Sequence, residues 1–207
     1  MRACIDNIIG DKFKRGIMST TSKTFKLSAR RVATIGILTA LSLLSFILEI
    51  LLPPLFLPGA KIGLSNIFTL VTLFMFGPID ALILVVVRTT LGSLIVGNLV
   101  SLIYSLSAGV ISLGVAILLV QFVYPKISLI SISITSAIVH NIVQVLVFCL
   151  LVNNMYMISY LPYFALIGAA SGLIVGALVY LVIHKVPLSF FEKIINNEKY
   201  IVKEKVW

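Results

Sequence analysis

The run Ala81-Leu82-Ile83-Leu84-Val85-Val86-Val87-Arg88 leads seven apolar residues into an arginine and contains no acidic one. The chain is apolar again at Leu94-Ile95-Val96, and Gly97-Asn98 then breaks it. Such a segment reads as a helix in hydrocarbon, where an isolated guanidinium costs about 2.5–3.5 kcal/mol on insertion scales. An arginine there needs water, a partner or an anionic ligand. It belongs to a small set of polar residues in apolar surroundings: Glu49, Lys61, Asn66, Arg88, His140, Asn141 and Gln144.

Composition sets the class. The 207 residues are 60% hydrophobic and 11% charged, with a mean hydropathy of +1.16; soluble domains hold about 25% charged residues. Cys4 and Cys149 lie far apart and show neither metal-ligand spacing nor a disulfide framework. Cys149 reads as a small core or lipid-facing residue.

The pattern predicts an all-α polytopic membrane protein with six spans, at about 30–52, 62–76, 79–96, 99–122, 128–151 and 160–184. Breakers separate them: Pro53-Pro54, Pro58-Gly59, Gly77-Pro78, Gly97-Asn98, Pro125 and Asn153-Asn154. The second span is short, and is expected to tilt or to be covered by its neighbours.

Orientation follows from basic residues. The first 31 residues carry Arg2, Lys12, Lys14, Arg15, Lys23, Lys26, Arg30 and Arg31, and the C-terminal tail carries Lys185, Lys193, Lys199, Lys203 and Lys205. Both ends are then expected in the cytoplasm of a bacterial cell, which an even number of spans allows. The net charge of +9 is met by topology and anionic lipid, without nucleic acid. Three regions result: a basic tail over 1–29, a membrane domain over 30–184 and a cytoplasmic tail over 185–207. Met18 is an alternative start, residues 1–27 lack a signal-peptide cleavage pattern, and 188–205 resembles an amphipathic segment at the interface.

Small residues at four-residue spacing mark helix contacts in lipid. Gly168, Gly172 and Gly176 line the last span, and Ser101, Ser105, Gly109, Ser112 and Ala116 line the fourth; both stripes suit internal packing. Ala29, Ala33, Gly36 and Ala40 in the first span suit internal packing or a partner protein equally.

The loop Pro53-Pro54-Leu55-Phe56-Leu57-Pro58-Gly59-Ala60-Lys61-Ile62-Gly63-Leu64-Ser65-Asn66 is stiffened by prolines and mostly apolar, as a lid over a cavity would be. Lys61 either snorkels to headgroups or meets a ligand. Asn66 can cap backbone or touch a substrate. Ser133, Ala137, His140, Asn141 and Gln144 share one face of the fifth span, which must look inward. An interhelical hydrogen-bond ladder explains that face taken alone; with Arg88, Lys61 and Glu49, a polar binding cavity explains it better. Phe56, Phe68, Tyr104, Tyr160 and Tyr163 are candidates for an apolar lining. Asp80 is expected to cap the third span. With Glu49 paired to Arg88 or Lys61, one basic group remains, so the ligand head is expected to be anionic or strongly polar.

The chain has no G-x-x-x-x-G-K-[ST] phosphate loop and no paired aspartates for a magnesium diphosphate. It shows no metal-ligand spacing around His140 and no nucleophile–base pair. Intrinsic catalysis, a metal and a cofactor are therefore not expected.

These residues resemble the Gx transporter family, whose members carry the description heptaprenyl diphosphate synthase component I and are similar to S components of energy-coupling factor (ECF) transporters. The resemblance covers about residues 30–184. It rests on Leu52-Pro53-Pro54, the segment Pro58 to Asn66, Arg88, Tyr104-Ser105, and His140-Asn141 with Gln144. It implies a six-helix bundle with both ends cytoplasmic that binds a small molecule under the first loop. Glu49, Lys61, Asn66, Arg88, Tyr104, His140, Asn141 and Gln144 are the implied substrate contacts. Ala29, Ala33, Gly36 and Ala40 would dock on a transmembrane coupling subunit, itself driven by ATPase subunits. The alternative is a non-transporting membrane accessory of isoprenoid or quinone metabolism, with a prenyl synthase or redox partner.

Overall fold

The structure, a computed structural model, describes residues 29–51, 63–123 and 126–185. Lys61, most of the first loop and both tails lie outside the described residues, and so do the expectations placed on them. The described residues form α1 (Ala29–Leu51), α2 (Ser65–Met75), α3 (Pro78–Val96), α4 (Leu99–Phe122), α5 (Leu129–Val152) and α6 (Leu161–Lys185), with a 3-10 turn at Met155–Tyr160.

Local chemistry sets the helix ends. Gly77 takes φ 113°, a conformation closed to most side chains, and Pro78 follows at the first position of α3. Left-handed Gly97 ends α3, and Asn98 Oδ1 accepts the Ser101 N–H at 2.9 Å to start α4. Ser128 Oγ does the same for α5 through the Ser131 N–H at 3.2 Å, and Asn153 at φ 52° ends that helix.

Among the described residues five helices are long and apolar enough to cross a membrane. The second is not: α2 has 11 residues, about 16 Å of helix against about 30 Å of hydrocarbon. Left-handed Gly63 precedes it and Gly77-Pro78 follows it, so the expected 62–76 span shrinks at both ends.

The surface is inverted relative to a soluble protein. Leucine, isoleucine and valine dominate the exposed side, with Leu150, Leu166 and Ile95 each more than three-fifths exposed, while Ser42, Thr72, Thr89, Arg88, Asn141 and Gln144 are buried. Water would reject that outer face and hydrocarbon accepts it. Together with the five long helices, it makes this a multi-pass membrane protein.

Contacts run α1–α3–α4–α5–α6, and α2 closes the ring by packing on α6, α1 and α3. The α5–α6 seam is the tightest. A Cβ on Gly172 would sit 2.7 Å from the Ile134 Cα, and one on Gly176 3.0 Å from the Ile130 Cα, so the glycine stripe is where the two backbones meet. Ser133 Oγ donates across the seam to the Gly172 carbonyl at 2.8 Å. Ser101, Ser105, Ser112 and Ala116 of α4 are likewise buried. Cys149 is core, packed with Val145 and Phe164. Ala29, Ala33, Gly36 and Ala40 behave differently: all four are exposed, and α1 is the least buried of the long helices.

One ion pair fixes the relation of α1 to α3. Arg31 bonds Asp80 through Nη2 and through Nε at 3.1 Å, and its Nη2 also donates to the Phe76 carbonyl at 3.3 Å. Asp80 is therefore not the cap of α3; the cap position is Gly77 and makes no side-chain bond. Asp80 turns toward Arg31 because α1 and α3 are parallel, their first turns side by side. The start of α3 then lies at the start of α1, and α2 runs antiparallel to both, its first residue Ser65 bonded to Glu49 and Phe76 after its end bonded to Arg31. From α3 onward the helices alternate, so α1 begins and α6 ends at the same end of the bundle.

The core is divided along the bundle axis. Toward the end that holds Arg31, Leu73, Ala81, Val85, Leu113, Val120, Ile132, Val175 and Val179 form an apolar plug. Toward the other end lie Glu49, Ser65, Arg88 and Ser105, whereas Thr72, Asp80 and Ser133 are buried at the plug end.

Candidate functional site

Arg88 is the eleventh residue of 19-residue α3, placing it near mid-membrane, and it is 2% exposed. Its Nη1 donates to Ser42 Oγ at 3.3 Å and its Nη2 to Asn66 Oδ1 at 2.9 Å. Its Nε is buried and has no hydrogen-bond partner among the described residues. A hydrogen bond to a charged group contributes about 1.5–3 kcal/mol, and leaving a buried donor unmade costs a comparable amount. Two of the three guanidinium nitrogens are thus engaged from within, by neutral acceptors, while the Nε–H is not.

Glu49 stands across from it, 9% exposed. Its Oε1 accepts the Ser65 N–H at 3.1 Å, so the carboxylate sits at the N-terminus of α2, where helix dipole and free N–H groups favour negative charge. Ser42 Oγ in turn donates to the Ser65 carbonyl at 3.2 Å. Glu49 acts on Arg88 electrostatically across the gap, whereas the contacts of Arg88 itself are Ser42 and Asn66.

These groups line a part-open cleft of about 280 Å³ with Phe46, Gly63, Thr89, Ser105 and His140. The space clear of all side-chain surfaces is about that of one water molecule. Gly92 makes one wall possible: a Cβ there would stand 2.4 Å from the Phe46 ring, so only glycine lets α1 lean this close on α3. His140 reaches the cleft from α5, with Nδ1 and Ser112 Oγ 3.3 Å apart.

Of the residues singled out from sequence, Glu49, Arg88 and His140 come together in the cleft, and Asn66 supports it through Arg88. Asn141 goes elsewhere: its Nδ2 donates to the Phe164 carbonyl at 3.2 Å, inside the α5–α6 seam. Gln144 is buried one turn further along α5 but does not line the cleft, and Tyr104 stacks edge-on against Phe148 at 5.7 Å. Tyr160 and Tyr163 are 51% and 42% exposed, so they belong to the outer surface and not to a cavity lining; Phe46 is the aromatic wall.

Sequence reading passed over Ser42, Phe46, Ser65, Thr89 and Ser105. A signal existed for two: Ser42, Phe46 and Glu49 stand at i, i+4 and i+7, on one face of α1. Ser105 stood out as a small residue and in the pair Tyr104-Ser105, without a role in the site. Thr89 carried no signal, because its hydroxyl donates to the Val85 carbonyl at 2.7 Å, as a threonine in any apolar helix does.

Chemically, the cleft offers one donor-rich cation, one carboxylate, one imidazole and several hydroxyls. That is a binding inventory. Among the described residues no three His, Cys, Asp or Glu side chains are grouped to hold a metal ion.

Among curated proteins and among solved structures, none matches this chain. Residues 38–182, from within α1 nearly to the end of α6 and including every cleft residue, match the family model Heptaprenyl diphosphate synthase component I. The chain belongs to the heptaprenyl diphosphate synthase component I family.

Proposed function

We propose that this protein is a non-catalytic membrane subunit that takes a small polar-headed molecule into the Arg88 cleft and passes it inward with the help of partner subunits, as the substrate-binding component of an ECF-type importer does. The Nε–H of Arg88 is buried without a hydrogen-bond partner among the described residues, on a side chain that lines the part-open cleft, and that observation carries this reading. A buried arginine kept only for structure would have its donors closed by protein.

Charge gives the cleft a side. The described basic side chains other than Arg88 (Arg31, Lys126 and Lys185) fall at one end: the starts of α1 and α5 and the end of α6. Under the positive-inside rule that end is cytoplasmic. Counting the second span, expected at about 62–76, as one crossing gives six, with both termini in the cytoplasm and the cleft in the outer half. The exposed Ala29, Ala33, Gly36 and Ala40 face of α1 is then free for a transmembrane coupling subunit carrying ATPases. Lys61 is a further proposed ligand contact, as are Asn66 and His140; Tyr104, Asn141 and Gln144 would act on the ligand only through the helices they lock.

A second reading is favoured by the family description itself: a membrane subunit of a two-component prenyl diphosphate synthase, whose catalytic aspartates reside on a separate chain. A membrane redox partner is a variant of it. Pull-down from native membranes separates these readings. The importer reading expects co-recovery of ATPase and coupling subunits, and no ATP hydrolysis or uphill solute movement in vesicles holding this chain alone. Recovery of a prenyl synthase without ATPases would establish the second reading instead.

A further inference from the structure

Charge counting narrows the ligand class, and the argument rests on the capture reading above. Between Val32 and His184 the sequence contains three cations, Lys61, Arg88 and Lys126, and two acids, Glu49 and Asp80. Asp80 is committed to Arg31 at the far end of the bundle, while Glu49 lines the cleft with Arg88. Among the described residues the cleft holds one cation, Arg88, against one carboxylate, Glu49, and no surplus charge while His140 is neutral. Arg31, Lys126 and Lys185 lie at the opposite end, beyond the apolar plug. A protonated His140 would add one more charge.

We infer that the head group accepted by this cleft carries at most about one negative charge, a carboxylate or a neutral polar head being the class that fits, and that a prenyl diphosphate is excluded from it. A phosphate monoester already carries about two negative charges at pH 7, and a diphosphate more. Near mid-membrane, charge left unbalanced is not screened by solvent, and the Glu49 carboxylate adds repulsion. The Nε–H of Arg88, beside an Nη2 whose protein partner is a neutral amide, is suited to one carboxylate oxygen. The family description names a diphosphate, so this cleft would not be where that diphosphate sits.

Four probes share one tail and differ in head charge: farnesol, farnesoic acid, farnesyl monophosphate and farnesyl diphosphate. Each is titrated into the purified full chain in detergent, reading the concentration that gives half-maximal thermal stabilisation, and repeated with Arg88→Gln and Glu49→Gln. The acid should bind the wild type at least about tenfold more tightly than the diphosphate. Arg88→Gln should lose most of the preference for the acid. Glu49→Gln keeps an oxygen for the Ser65 N–H while removing the negative charge, so it should move the preference toward the monophosphate. If the diphosphate binds as tightly as the acid and depends on Arg88, the charge limit is wrong and ligand capture stands. If no probe distinguishes the wild type from either variant, both the limit and the capture reading fall.

Discussion

Arg31→Gln is expected to destabilise the protein by about 3 kcal/mol, at the low end for breaking a buried ion pair. The side chain of Asp80 is 3% exposed and loses its counter-ion, while Arg31 is 24% exposed and loses little by its own removal. Glutamine also cannot span both Asp80 and the Phe76 carbonyl, so the α2–α3 turn is released as well. Adding Asp80→Asn should restore part of the loss, because the stranded carboxylate disappears with it. Thermal unfolding in detergent of the two single variants and the double variant checks this. An Arg31→Gln protein as stable as the wild type would mean that the parallel placement of α1 and α3 does not depend on this pair.

The second large effect concerns the α5–α6 seam. Gly172→Ala puts a methyl 2.7 Å from the Ile134 Cα and 3.0 Å from the Ser133 carbonyl oxygen. Backbone cannot rotate aside as a side-chain tip can, so the helices must part. Overpacking of this kind costs about 1–3 kcal/mol, and the Ser133–Gly172 hydrogen bond, worth about 1 kcal/mol, is weakened with it. Gly114→Ala is the matched control, since a Cβ there meets nothing within 4 Å. With glycine about 1 kcal/mol worse than alanine inside a helix, it should be neutral or slightly stabilising. Equal destabilisation by both variants would contradict the packing described.

Helix positions were legible in the sequence because punctuation is local. Gly77-Pro78, Gly97-Asn98 and Asn153-Asn154 stop and start helices through their own backbone preferences, and the observed ends fall within a residue or two of those expected, α2 excepted. The inward face of α5 was legible too, since imidazole and amides cannot face lipid. What stayed hidden depended on which helices are neighbours. Arg31 and Asp80 are 49 residues apart, and nothing at either position announces the other. Likewise, no sequence rule sends Asn141 to the Phe164 carbonyl while His140, the residue before it, turns to the cleft. The acceptance of the Ser65 N–H by Glu49 stayed hidden as well, because it depends on where α2 begins.

The central claim, that the Arg88 cleft holds a small molecule, is tested most directly by native mass spectrometry of the gently purified protein beside its Arg88→Gln variant. The account predicts a small-molecule adduct on the wild type that is lost from the variant, while the variant stays folded, because the desolvation cost of a buried charge leaves together with its hydrogen bonds. A stable variant that retains the same adduct at the same occupancy would contradict the account.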